Sequence, residues 1–327
     1  MSESEHLAQA LPHVQPLFSD KVAVVFATDK NYWPYFCVAL QSLLSNTSAD
    51  KKYDICVLTS EPLSFNRRGA KFFARENVSI RFVTIDERAL QLDLGEHVNQ
   101  YYSTVTYYRF FIPEIFAAYA KVIYLDTDIV VLGDIAELAA INIGRAPLAA
   151  CRDAVTYFPY SPEWVRYITR DLCLACERYF CAGVAVFNVP VLREQKFLSC
   201  ALAKLAELGA PKAVDQDVMN CLYTGTFYQL PLEWDVTWGP FLTFNEEVMR
   251  DLSPADQLEF AAYARVAARA KIIHYSTGVK PWAYPGQPLA DLWWAYARQT
   301  PNFWAIVGKN TGELAKRWLK KLMPVAQ

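Results

Sequence analysis

"KVIYLDTDIVVLGDI", residues 121–135, runs apolar and β-branched up to two aspartates, Asp126 and Asp128, with only Thr127 between them. A short continuous apolar run bounded by turn residues reads as a strand covered on both faces, as in parallel sheets. Ligands of such sheets gather outside the carboxyl ends of the strands, and the two aspartates fall at that end. Their spacing of two puts both side chains on one face if the strand continues through them. Adjacent carboxylates repel unless a cation, a proton or a basic group lies between them. Hard oxygen ligands suit magnesium or manganese, which commonly link a few carboxylates to substrate phosphates. The stretch therefore predicts a metal–phosphate platform at the end of a sheet strand. A pair of exposed turn aspartates is the structural alternative.

The segments before it repeat one pattern. "VAVVFA" (22–27) is a second covered strand, broken by "TDKNYWP", and "YFCVALQSLL" (35–44) follows with helical apolar spacing, with Asn31 near its entrance. "DICVLT" (54–59) and "VSIRFVTI" (78–85) read as strands around a charged helix at 66–76, and "TVTYYRFFIPEIF" (104–116) as a helix up to Pro113. Strand, helix, strand, helix, strand predicts an α/β fold with parallel strands. Further on, "APLAAC", "AGVAVFNV", "YQLPLEW" and "KIIHYS" read as strands, and "AVDQDVMNCLYTG" as a helix with Val214, Val218 and Leu222 on one face. The expected organisation is a loose leader (1–20), one mixed α/β domain (21–284) and a helical C-terminal appendage (285–327), aromatic and then basic.

Composition narrows the class. Hydrophobic residues make up 53% of the 327, enough for one large domain or a domain with an appendage. A net charge of −2 gives no sign of bulk nucleic-acid binding. The first twenty residues lack a basic segment followed by an apolar one, and no apolar run is long enough to span a bilayer. The expectation is a soluble or peripherally attached, cytoplasmic protein. Most of the eight cysteines sit in apolar stretches, as reduced buried thiols do. Cys173 and Cys176, with Cys181 nearby, have zinc-like spacing but lack a second matching pair.

Three reaction classes could use an Asp-x-Asp platform: a metal-dependent sugar-nucleotide transferase, a phosphatase of the haloacid dehalogenase type, and a non-catalytic metal- or glycan-binding module. The phosphatase motif is usually met on the first strand of its core, whereas α/β structure precedes it here. "HYSTGVKPW" (274–282) adds a histidine after an apolar run, a glycine and a lysine. A neutral imidazole is a good third metal ligand, Gly278 permits close backbone approach, and Lys280 can place a positive charge on a phosphate. A core histidine beside a surface lysine is the alternative.

"FATDKNY", "TYYRF", "YLDTDIVV", "CAGVAVFN", "DQDVMN" and "HYSTGVKPW" stand in the order found in glycosyltransferase family eight, which includes bacterial lipopolysaccharide α-galactosyl- and α-glucosyltransferases and glycogenin. The chain resembles that family over residues 21–284. The resemblance implies a GT-A fold, a Rossmann-like mixed sheet, and a retaining enzyme that moves galactose or glucose from a UDP-sugar to a glycan hydroxyl. It implies manganese, or magnesium, on Asp126, Asp128 and His274. Ala27, Asp29, Asn31, Tyr32 and Thr127 would bind the nucleotide, Gly278 and Lys280 the diphosphate. Arg109, Asp153, Asp215 and Gln216 would lie by the donor sugar, Arg109 also near phosphate and Asp153 also near acceptor. The chain departs from the pattern at Cys181, where the lipopolysaccharide branch often has asparagine, and at a glycine one residue later than usual in the His274 segment.

Residues 309–327, "KNTGELAKRWLKKLMPVAQ", alternate Lys316, Arg317, Lys320 and Lys321 with Leu314, Trp318, Leu319 and Leu322. On a helix this gives a basic face and an apolar face, suited to a membrane surface near a lipid-linked acceptor or to docking on the domain.

Overall fold

Strand β1 (Val22–Thr28) is buried at every position, as its apolar run requires, and β2 (Tyr53–Thr59) likewise, its one charged residue, Asp54, being paired with Arg81. They pair in parallel, β3 (Val78–Thr84) joins the outer side of β2, and β4 (Lys121–Leu125) joins the other side of β1. The computed structural model describes residues 10–87, 94, 103–157, 161–244 and 246–322, the side chains of 313–322 excepted.

The chain turns back to form the second half of the sheet. Strand β5 (Ile129–Val131) leaves it, β6 (Leu148–Arg152) and β7 (Phe180–Asn188) re-enter it, and β8 (Tyr228–Gln229) closes the far edge. The order is β3-β2-β1-β4-β7-β6-β8, with β7 antiparallel to both β4 and β6. A small second sheet joins β5 to β10 (Ile272–His274) and β10 to β9 (Val236–Thr237). Because the chain first moves outward from β1 to β3 and then crosses to β4, the direction of winding reverses between β1 and β4. A crevice opens at the carboxyl ends there, next to Asp29 and Asp126.

The Asp-x-Asp stretch differs from expectation. The strand does not continue through it: β4 ends at Leu125, and Asp126–Asp128 form the link by which the chain steps from one sheet to the other. Around Pro113, a 3₁₀ segment (Thr104–Phe111) passes into a short helix (Ile112–Ile115) with the proline in its first turn. Proline starts that helix instead of ending one, because the first turn has no use for its missing N–H. Asp29 Oδ1, not the Asn31 side chain, accepts from the backbone N–H groups of Asn31 and Tyr32 at the head of helix Trp33–Ser45.

Apolar clusters fill both faces of the large sheet, and a third, around Trp238, Tyr275, Trp282 and Trp293, joins the small sheet to the C-terminal helices Ala290–Ala297 and Phe303–Leu322. The appendage is therefore docked, with Trp293, Ala297 and Ile306 buried. Of the leader, Leu11 and Val14 are buried in the first cluster, and Val14 N–H donates to Ile115 O at 2.8 Å. The side chains of 313–322 and all of 323–327, which carry the basic and apolar faces of the tail, lie outside the described residues. No helix among the described residues is long and apolar enough to cross a membrane.

Candidate active site

The crevice is a cleft of about 720 Å³. One wall is built where the two sheets meet. Asp126 and Asp128 project from the β4–β5 link, and His274 closes β10 opposite them. Nε2 of His274 lies 3.3 Å from Asp128 Oδ1 and 3.7 Å from Asp126 Oδ2, so three ligand atoms converge. Their outer atoms are held in place. Asp126 Oδ1 accepts from Arg109 Nη2 at 2.8 Å and Tyr124 Oη at 2.9 Å. Asp128 Oδ2 accepts from Lys280 Nζ at 2.5 Å. Behind the ring, Nδ1 of His274 lies 3.0 Å from Asp235 Oδ1.

The charges follow from this packing. Burial alone would raise the Asp128 carboxyl; Lys280 and His274 overturn that and hold it well below the usual carboxylate range. Burial alone would keep His274 neutral, but Asp235 on one edge and Asp128 on the other push its pKa well above the ordinary value. The cluster draws a proton onto the imidazole because its carboxylates require a cation between them. Two carboxylate oxygens and an imidazole nitrogen form a donor set that suits manganese or magnesium, so these residues fit the expected metal.

The opposite wall comes from the ends of β6 and β7 and the start of helix Val214–Tyr223. Gln216 is locked: its Oε1 accepts from Ala182 N–H at 3.0 Å, and its Nε2 donates to Asp153 Oδ2 at 2.8 Å. Asp153 in turn caps the following turn through Val155 N–H, and burial raises its pKa. Asp215 accepts from the Thr106 hydroxyl, and its Oδ2 lies 2.9 Å from Arg109 Nη1 without hydrogen-bond alignment. Burial pushes its carboxyl up to about 6 despite Arg109. Val214, just before it, has φ +43, a left-handed conformation costly for a β-branched residue. Its neighbour Asp217 accepts from Tyr167, Tyr179 and Ala213 N–H, which pins this strained turn.

Arg109 joins the walls. It is 3% exposed, stacks on Tyr124, and places its guanidinium between Asp126 and Asp215. Its Nη1 also donates to Ala182 O at 2.8 Å. The fork is thus engaged by the protein, and Arg109 acts on the carboxylates beside it.

Ala27, Asp29, Tyr32, Arg109, Asp126, Thr127, Asp128, Asp153, Asp215, Gln216, His274, Gly278 and Lys280 all line this one cleft. Asn31 does not; its carbonyl instead accepts from Lys309 Nζ of the last helix at 2.7 Å. Three contributors escaped the sequence. Asp235 stands between buried Trp234 and Val236 with nothing in sequence to link it to His274. Gly183 stands inside "CAGVAVFN" without a part assigned, yet a Cβ there would fall 2.2 Å from His274 Cε1 and 2.8 Å from Asp126 Oδ2. Thr106 opens the quoted "TYYRF" segment, but only the fold, by carrying it to Asp215, gives it a part. Cys173, Cys176 and Cys181 form no common ligand cluster among the described residues; Cys181 lies instead against His274.

Comparison with known proteins agrees with this architecture. The chain is 22% identical over 294 residues to general stress protein A of Bacillus subtilis, covering 87% of this chain and 95% of that protein. It is 24% identical over 266 residues to the lipopolysaccharide 1,2-glucosyltransferase of Escherichia coli, covering 81% and 73%. Among solved structures, the bifunctional glycosyltransferase WbbM superposes with a TM-score of 0.75 at 27% identity over 91% of this chain, which spans only 53% of the WbbM chain. The mixed α/β architecture is that of GT-A glycosyltransferases. The model of the family "Glycosyl transferase family 8" matches residues 23–286. With most of its length inside that match, the chain belongs to glycosyl transferase family 8.

Proposed function

We propose that the protein is a retaining hexosyltransferase that moves galactose or glucose from a UDP-sugar to a glycan hydroxyl, of lipopolysaccharide or another cell-surface glycan. The observation that carries this is the pairing of unlike walls in one cleft: a carboxylate–imidazole–lysine cluster facing Asp153, Asp215 and Gln216. The glucosyltransferase among the relatives supports the sugar class. A cytoplasmic location belongs to the same proposal, with residues 309–327 meeting the membrane face.

Asp126, Asp128 and Nε2 of His274 would hold manganese, or magnesium, which when bound neutralises charge on the departing diphosphate. Lys280, with its ammonium at the cleft edge, supplies further positive charge to the phosphates, and Gly278 leaves room for them beside it. Ala27, Asp29, Tyr32 and Thr127 bound the nucleotide end. Asn31 would contribute only through the shape of its loop, since its side chain is not part of the lining.

At the anomeric carbon the chain offers Gln216, a neutral amide and weak nucleophile whose polar atoms are already bonded. Attack by the acceptor hydroxyl from the leaving-group face fits this better than a covalent intermediate. The new C–O bond forms on the face where the C–O(phosphate) bond breaks, and the acceptor proton passes to the departing phosphate oxygen. Asp215, ionised above about pH 6 and beside Arg109, would face the positive charge that develops on the sugar.

The test is UDP release from a panel of UDP-sugars in the presence of glycan acceptors, with manganese and then with chelator, and the anomeric configuration of the product by NMR. Metal-dependent release from one donor with retention is expected. Phosphate release from simple phosphomonoesters without use of any UDP-sugar would replace the proposal with the phosphatase. Metal-dependent UDP binding without turnover on any acceptor would replace it with a binding module.

A further inference from the structure

The imidazole of His274 has two working edges, and the proposed donor site uses only one. Nε2 faces Asp126 and Asp128. Nδ1 points away from them, 3.0 Å from Asp235 Oδ1 and 3.6 Å from Cys181 Sγ. Cys181, Asp235 and His274 are 3%, 1% and 3% exposed, and their ligand atoms lie within 4.8 Å of one another. The other oxygen of the carboxylate, Asp235 Oδ2, is buried without a hydrogen-bond partner. A buried acceptor left unpaired carries its full desolvation penalty, which a cation beside the carboxylate would offset.

The spacing suits a small tetrahedral ion. Zinc holds cysteine sulfur at about 2.3 Å and nitrogen or oxygen at about 2.0–2.1 Å, which places neighbouring ligand atoms about 3.3–3.6 Å apart. The observed 3.6 and 3.0 Å lie close to those edges. The ring cannot swing out of the arrangement, because the backbone of β7 packs against it: a Cβ on Gly183 would lie 2.2 Å from Cε1 and 2.8 Å from Nδ1. Cys181 and His274 both line the cleft, so an ion can arrive from solvent.

We propose that Cys181 Sγ, Asp235 and His274 Nδ1 form a second cation site, selective for thiophilic divalent ions of the zinc and cadmium type, whose occupation disables the hard-ion site on the opposite edge of the ring. Thiolate favours zinc or cadmium over magnesium or manganese. On binding, the thiol and Nδ1 give up their protons to solvent and form bonds to the metal; nothing is oxidised or reduced. A neutral imidazole has one lone pair. With an ion on Nδ1 the ring keeps its proton on Nε2, and Nε2 cannot serve as a ligand. Binding at the thiol site stands on the geometry alone, whereas the antagonism rests on the proposed function.

The experiment uses metal-free, full-length protein whose two exposed thiols are replaced (Cys173→Ser, Cys200→Ser). Cadmium is titrated in, and the thiolate-to-cadmium charge-transfer absorption is read. One ion per chain is expected, with the band lost on adding Cys181→Ser and affinity about 10–100-fold weaker on adding Asp235→Asn. Manganese with UDP should weaken cadmium binding, and cadmium should weaken manganese binding by the same factor. An unchanged band in the Cys181→Ser protein overturns the site. Cadmium binding indifferent to bound manganese overturns the antagonism. An anomalous-scattering peak between Sγ and Nδ1 in cadmium-soaked wild-type crystals reads the site without any substitution, and cadmium bound only elsewhere refutes it. Should manganese fail to bind at all, the donor-site proposal falls, while the cadmium band still decides the thiol site.

Discussion

Asp128 and Asp215 face the same cleft from opposite walls, with side chains 14% and 4% exposed, and their surroundings drive them in opposite directions. Burial raises both. At Asp128 the Lys280 ammonium and His274 reverse it, and the carboxyl stays ionised far into acid. At Asp215 the cation in contact, Arg109, is shared with Asp126 and lies out of hydrogen-bond alignment, so burial prevails and the carboxyl rises to about 6. Two carboxylates with separated pKa values suit two tasks. One wall carries a permanent anion for a cation to rest on. The other carries a charge that depends on pH and can answer to chemistry at a sugar.

The comparison breaks most visibly at the permanent wall. Asp128→Ala removes one of the three proposed ligand groups and the carboxylate that Lys280 pairs with. Transfer should fall by about 10³-fold or more, with manganese affinity lost in calorimetry. Turnover near that of wild type would remove the distinction between the walls. Gly183→Ala attacks the same wall through its backing, since the new methyl displaces the His274 ring. Manganese affinity should drop about 10–100-fold, while circular dichroism reports a folded chain. Undiminished affinity would mean that the ring's orientation is not what makes the site.

The conditional wall is sharpened by pH. Asp215 loses its charge as pH falls through about 6, and kcat/KM should fall with it. Thr106→Val removes a hydrogen bond that favours the ionised form, and should move this acid limb to higher pH. A limb that stays where it was would assign it to another group. Stability runs the other way. The folded value of Asp215 exceeds its ordinary 3.8, so between about pH 4 and 6 the fold keeps a proton that the unfolded chain has released. The contribution of this group to stability is full below that window and is lost as pH rises through it. The smallest effect is expected beside the walls. Lys309→Ala removes one donor to the Asn31 carbonyl, worth about 1 kcal/mol. Donor KM should rise about fivefold with kcat unchanged; a fall in kcat instead would give the last helix a part in the chemistry.

The Asp126–Asp128 half of the permanent wall was legible in the sequence because that half is local. The apolar runs of β1, β2 and β4 are read from residues in succession, and Asp126 and Asp128 stand at the end of one of them. What escaped depends on contacts across the chain. Periodicity does not reveal that β4 and β5 belong to different sheets, because both are equally apolar and only the partner strand differs. Pro113 looked like a stop because sequence does not say which side of a proline is helical. Asp29 and Asn31 are both good helix-capping types, yet neither side chain caps the helix; Asp29 bonds the turn before it. Asp235 lies outside every quoted motif, and Gly183 and Thr106 stand inside "CAGVAVFN" and "TYYRF" without a part assigned; each acquires its part from a partner 39, 91 or 109 residues away in sequence.

The most direct measurement compares Asp128→Asn with Asp215→Asn for manganese-dependent UDP-sugar binding and for single-turnover transfer in the same samples. The division of labour predicts that Asp128→Asn loses donor binding, while Asp215→Asn binds the donor almost as wild type does and fails to transfer it. Equal loss of donor binding in both, or full transfer by the Asp215→Asn protein, would contradict it.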